Sequence, residues 1–163
     1  MSKQWAQQML NSNAVILDTE TTGLGPCDQV IQIGVIDVQG NVLFDTLLYT
    51  DCPIAPQASV IHGITKERLI GAPTWPAIEL DLLQVLDNRP VLIYNAGFDF
   101  RMLIQTAQAY HRPCNWITHL DAHCVMKRYA NGGKWAKLEG GDHTALGDCR
   151  ATLALLKRMA GHG

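Results

Sequence analysis

The sequence predicts an α/β fold, a mixed central sheet of about five strands flanked by helices. Three runs rich in Val, Ile and Leu succeed one another between residues 14 and 50 with short connections, the pattern of meandering strands. Beyond residue 74, stretches of helical spacing alternate with short apolar runs, as when helices cross over a sheet. A chain of 163 residues is long enough for one domain with a good core and short for two, so residues 1–163 are expected to form a single domain.

Residues 14–18 are the first expected strand, apolar until Asp18. The second and third are QVIQIGVIDV (29–38) and VLFDTLLYT (42–50), joined by a turn at QGN (39–41). The next stretch, TDCPIAPQASVIHGIT (50–65), is punctuated by Pro53 and Pro56 and reads as a loop. Thr74 suits the N-cap of a helix that tolerates Pro76 in its first turn. Behind it Ile78, Leu82, Val85 and Leu86 recur at helical spacing, with Glu79, Asp81 and Gln84 expected outside. PVLIYN (90–95) is the fourth strand, followed by a helix from Phe98 to Tyr110. NWITHL (115–120) is read as a short fifth strand leading into a helix that ends at the glycines of NGG (131–133). A last helix aligns Leu146, Cys149, Leu153 and Leu156 on one stripe.

An apolar content of 47% against 17% charged residues is that of a compact soluble protein. The formal charge of −2 gives no support for tight nucleic-acid binding through a Lys/Arg surface, and leaves recruitment of phosphate by bound metal open. Cys27, Cys52, Cys114, Cys124 and Cys149 are odd in number and contain no CxxC pair, so they read as reduced thiols of a cytoplasmic protein. MSKQWAQQMLNSN lacks the apolar run of a signal peptide, and no later segment has the length of a membrane span.

Acids cluster where strands end or helices begin. Asp18 and Glu20 stand two apart at the end of the first strand, so their side chains point the same way and repel one another. Solvent or a cation must offset that repulsion. Asp99 falls in the first turn of the helix after the fourth strand, where a negative charge is favourable on its own account. His143 precedes Asp148 by five residues, about 140° of rotation on one helix, so His143 is expected on the preceding loop or the first turn with Asp148 inside the helix, where both can face one point. Singly, each of these reads equally as a solvated strand end, a cap or a surface acid.

Together they resemble a known family. VILDTETTGL, HGIT, NAGFDFRML and HTALGDCRATLALL are similar to the three signature motifs and an intervening loop of the DEDDh 3′–5′ exonucleases, over roughly residues 13–159. That group includes proofreading polymerase subunits, oligoribonuclease, RNase T and exonuclease X. The resemblance implies a ribonuclease H-like fold, with Asp18, Glu20, Asp99 and Asp148 as the four metal-binding carboxylates and His143 as the fifth catalytic residue. It also implies that the backbone of Thr21, Thr22 and Gly23, with Leu24, cradles the terminal nucleotide, where the residues alone read equally as a strand-to-turn exit, and that His62 lines the substrate cleft. Asn95 and Phe98 are candidates to shape the same cleft. Phe98 serves equally well as core.

The residue types suit the chemistry. Phosphodiester hydrolysis needs an activated water, stabilised negative charge and help for the leaving oxygen, and two divalent cations, Mg²⁺ or Mn²⁺, held by carboxylates supply all three. Asp18 would bridge both, Glu20 and Asp148 would hold the one that carries the water, and Asp99 would serve the other through water. A neutral His143 would take the water's proton. The expected partner is a single-stranded 3′ end of DNA or RNA, with nucleoside 5′-monophosphates released. Two rivals are a catalytically idle nucleic-acid-binding module and an endonuclease or strand-transferring enzyme with a related site. No motif acid is missing, and the motif order fits the second rival less well.

Cys114, His119, His123 and Cys124 raise a zinc reading, since His119 and His123 are four apart on a possible helix, but adjacent His123 and Cys124 would diverge. Trp135 is read as a core anchor. Two departures from the family stand out. Only GGD separates KWAKLE from His143 where the family often has another helix, so that wall is expected to be reduced. The chain also stops just after its last helix, without the tail that tethers a proofreading subunit to a polymerase, so a free-standing nuclease is expected.

Overall fold

The computed structural model describes residues 2–130 and 135–162. In chain order the elements are α1 (Ser2–Leu10), β1 (Val15–Thr21), β2 (Val30–Asp37), β3 (Val42–Leu47), α2 (Pro56–His62), α3 (Lys66–Leu69) and α4 (Trp75–Leu86), then β4 (Val91–Ile93), α5 (Ala96–Ala109), α6 (Asn115–Thr118), β5 (Ala122–Cys124), α7 (Val125–Tyr129) and α8 (Ala145–Met159). The five strands form one mixed sheet in the order β3-β2-β1-β4-β5. β1 runs antiparallel to β2 and parallel to β4, with β3 antiparallel to β2 and β5 parallel to β4. This is the α/β architecture the sequence predicts.

The alternation of side chains along β1 builds two cores. Val15 and Leu17 face one side, where Trp75, Ile78, Leu82, Met102 and Leu103 of α4 and α5 cover them. Ala14 and Ile16 face the other, under Trp5 of α1 and Cys149, Leu153 and Leu156 of α8. Burying each such apolar side chain is worth about 1.5–3 kcal/mol, so both faces oppose any slip of register. Asp18 and Glu20 continue the even set and therefore emerge on the α8 side.

Several elements differ from the expectation. β1 extends to Thr21, because pairing with β2 continues past both acids. The segment read as a fifth strand is instead α6: Ile117 is buried and Trp116 stacks on Trp75 at 6.2 Å, which a turn achieves and an edge strand would not. The fifth strand lies at Ala122–Cys124. The 50–65 loop contains α2, a helix none of whose residues is buried, so it left no apolar stripe to read. Glu79, expected outside, is 8% exposed. Its Oε2 accepts the buried Trp75 indole N–H at 3.1 Å and its Oε1 pairs with Arg112. A fully buried indole needs an acceptor, and the residue one turn on supplies it. α7 ends at Tyr129, and the NGG cap expected at 131–133 lies outside the described residues.

Candidate active site

β4 pairs with β1 only as far as Ile16, whereas β2 follows β1 to Thr21. From Leu17 to Thr21, five of its seven residues, β1 therefore has an open edge where an antiparallel neighbour on one side gives way to a parallel one on the other, the usual site of a crevice in such sheets. Gly34 lies opposite Asp18 in the β1–β2 register. A Cβ there would stand 3.0 Å from the Leu146 backbone nitrogen, so glycine is what lets the start of α8 settle over β1. Gln32, opposite Glu20, fixes that start by accepting the Ala145 N–H at 2.9 Å, and the Thr144 hydroxyl caps α8 by accepting from Gly147. Asp148 in the first turn is thereby delivered beside β1. Carboxylate oxygens of Asp18, Glu20 and Asp148 lie within 4.8 Å of one another.

Asp99 reaches the same place from α5 and is 4% exposed. Its Oδ1 accepts both the Thr19 N–H (3.2 Å) and the Thr19 hydroxyl (2.6 Å), groups that the open edge of β1 leaves without a strand partner. The three-acid cluster does not include it. The sequence reading did not single out Thr19, Gln32 or Gly34. Their signal was position in the β1–β2 register, visible only after pairing.

The electrostatics are those of a site built for a cation. Burial pushes Asp18 well above the usual carboxylate range, with Asp99, Asp148 and Glu20 adding repulsion. Burial, then Asp148, raise Glu20 to about 8. Burial raises Asp99 to about 7 against the lowering effect of Thr19. Asp148 is raised by burial and partly restored by the His143 N–H. Among the described residues no Lys or Arg pairs with any of the four. Asp18 Oδ2 is buried without a hydrogen-bond partner, a state costly enough that a ligand is the physical remedy. An all-carboxylate donor set with such an orphaned oxygen fits a hard divalent cation.

His143 sits just before the α8 cap with a left-handed backbone (φ +59°) and an exposed side chain at the rim of the cleft. Its N–H donates to Asp148 Oδ1 at 3.1 Å. Gly141 passes so close to that carboxylate that a Cβ would lie 2.5 Å from Oδ1. His143 thus lies before the helix, and its backbone, not its ring, makes the contact with Asp148.

Two adjoining hollows flank the acids. The smaller, about 360 Å³, is lined by Thr21, Gly23, Leu24, Ile61, His62 and Phe98. Leu24 is 77% exposed there, whereas Thr22 is fully buried and its hydroxyl serves Asp28, so its side chain offers nothing to a ligand. Gly23 is needed because a Cβ would meet the Asp28 carboxylate at 2.6 Å. His62 reaches the hollow, but both ring nitrogens are occupied. Nε2 bonds the Thr21 carbonyl at 2.9 Å and Nδ1 accepts the Ile64 N–H at 3.0 Å, which pins the α2 loop to β1. Burial holds its pKa down. The larger hollow, about 610 Å³, is lined by Asn95, Phe98, Trp135, Lys137 and Leu138, among others. Phe98 also packs on the core. Trp135 is not a core anchor: it is 69% exposed. The zinc reading fails, since His119 ends α6 while His123 lies in β5, and no cluster there was found among the described residues.

A family model described as exonuclease, RNase T, matches residues 15–156. The uncharacterized exonuclease CP81 of Escherichia phage 186 is 35% identical over 184 aligned residues, covering 98% of this chain and 94% of that protein. DNA polymerase III subunit epsilon of Rickettsia typhi is 36% identical over 103 residues, 58% of this chain and 44% of the subunit. Among solved structures, exonuclease X in complex with 5′ overhanging duplex DNA superimposes with a TM-score of 0.61 at 26% identity, covering 91% of this chain and 93% of that one. Exonuclease I of E. coli in complex with a dT13 oligonucleotide gives a TM-score of 0.72 at 22% identity, with 90% of this chain on 40% of that one, a likeness of fold.

Proposed function

Because this chain belongs to the RNase T exonuclease family, we propose that it removes nucleoside 5′-monophosphates one at a time from the 3′ end of single-stranded DNA or RNA, aided by two divalent cations, Mg²⁺ or Mn²⁺. The observation that carries the reading is the meeting of Asp18, Glu20 and Asp148 within 4.8 Å around an unpartnered Asp18 oxygen. Asp18, Glu20 and Asp148 would hold the cations, with Asp99 contributing from the α5 side. Such cations, when bound, polarise a phosphoryl oxygen and make an attacking water and a leaving oxygen easier to ionise. His143 takes the proton of that water as general base, its ring free at the rim of the cleft. The Gly23–Leu24 turn receives the terminal nucleotide in the smaller hollow, so the chain has one way out. The same reading treats residues 1–163 as one exonuclease domain of a cytoplasmic protein. All five cysteines are free, and no helix among the described residues is long and apolar enough to cross a membrane.

Matched 5′-labelled oligonucleotides test it: linear, 3′-phosphorylated and circular, as DNA and as RNA. A ladder shortening from the 3′ end in Mg²⁺ or Mn²⁺, absent in EDTA, poor on the 3′-phosphate and lost in Asp18→Asn, is expected. Cutting of the circle, or full activity in excess EDTA, refutes it.

A further inference from the structure

Along residues 135–139, outside any helix or strand, exposed and half-buried residues alternate. Ala136 and Leu138 are half-buried: the Ala136 carbonyl accepts the Tyr94 hydroxyl at 2.6 Å, and Leu138, which also borders the hollow, packs against the core that α8 covers. Trp135, Lys137 and Glu139 are exposed and line the larger hollow. The anchored residues set the direction of their neighbours, so an indole and an ammonium are presented side by side on one wall. The same hollow is lined by Ile61, 56% exposed on a helix that buries nothing. Leaving an indole 69% exposed forfeits a large burial gain, and such surface at a cleft marks a ligand.

Resting on the 3′-exonuclease reading, we propose that Trp135 stacks on an inner base of the bound strand, beyond the terminal nucleotide, and that Lys137 contacts the adjacent phosphate. If the terminal nucleotide fills the hollow beside Leu24, the rest of the strand crosses the acids into the larger hollow, where this wall is the surface it meets. Aromatic stacking accepts any base, and an ammonium reads only the backbone, so the pair confers length preference without sequence preference. It also requires unpaired bases, which makes the substrate single-stranded at this depth.

The protein carries its own probe. Trp5 and Trp75 are buried and Trp116 is half-buried against Trp75, leaving Trp135 as the exposed indole among the described residues. In an Asp18→Asn background, which leaves the oligonucleotide intact, dT5 should quench tryptophan fluorescence on binding. Adding Trp135→Ala should abolish the quench and weaken the Kd about 10–100-fold, measured by anisotropy of labelled dT5, while Trp135→Phe keeps most of the affinity. Lys137→Ala should reduce the salt slope of log Kd by about 0.7, one phosphate's share on a single strand. In otherwise wild-type protein, Trp135→Ala should lower the ratio of kcat/KM for dT5 to that for a nitrophenyl ester of thymidine 5′-phosphate about 10-fold or more. An unquenched complex, or Trp135→Ala binding dT5 like its parent, overturns this inference alone. A wild type that releases no mononucleotide from any 3′ end overturns the exonuclease reading instead.

Discussion

Gly141→Ala separates the site from the fold. The new Cβ would lie 2.5 Å from Asp148 Oδ1, while ordinary contact begins at 3.4 Å, so about 0.9 Å of movement is demanded. The carboxylate yields most easily, because it ends a side chain while Gly141 is held in the backbone. Swinging aside displaces the carboxylate that meets Asp18 and Glu20 and breaks the 3.1 Å bond from the His143 N–H to Oδ1, disturbing the support of the proposed base as well. A misplacement of about 1 Å costs on the order of 10²-fold in turnover, and a disturbed ligand or its support costs about 10–100-fold in metal affinity. Stability should hardly change. The φ of Gly141 is outside the left-handed region, and alanine there narrows the unfolded ensemble by about 0.4–1 kcal/mol, enough to offset a small local strain. Mononucleotide release at saturating Mn²⁺, calorimetric Mn²⁺ titration and a thermal melt in EDTA give the three readouts. Wild-type turnover and affinity in a folded variant would refute the claim that Asp148 must hold this position.

Two further outcomes follow from the same geometry. His143→Ala should lose about 10²–10⁴-fold in turnover at saturating Mn²⁺ with Mn²⁺ affinity little altered, measured by steady-state kinetics beside calorimetry, since the carboxylates remain; a near-wild-type rate would end its role as base. The metal-free protein should lose stability as pH rises from about 4 toward 8, because unfolded carboxylates ionise near 4 while Glu20 and Asp99 stay protonated to about 8 and about 7 in the fold. Urea titrations in EDTA across that range, repeated with Mn²⁺ to restore stability at pH 8, check the sign; stability rising with pH in EDTA would contradict it.

The sequence by itself determined which way side chains face along their own elements. Strand alternation put Asp18 and Glu20 on one side, helical spacing drew the stripe of α8, and the five-residue gap set His143 and Asp148 on different faces of any one helix. Periodicity is a property of a few consecutive residues, so these features need no knowledge of the rest of the chain. Where periodicity was weak the reading failed: α2 buries no residue, and α6 is a single turn held by the Trp75–Trp116 stack. What lies opposite a residue was decided only by the tertiary structure. Asp99 meets Thr19 across 80 residues, and Gln32 holds the start of α8 across 113. Gly34 matters because of what settles above it, and Glu79 is inside because Trp75 needed an acceptor. Trp135 lies outside because Tyr94 and the core hold the residues beside it. Such contacts depend on which distant segments pack together, and no local pattern of charge or hydrophobicity encodes the identity of the neighbour.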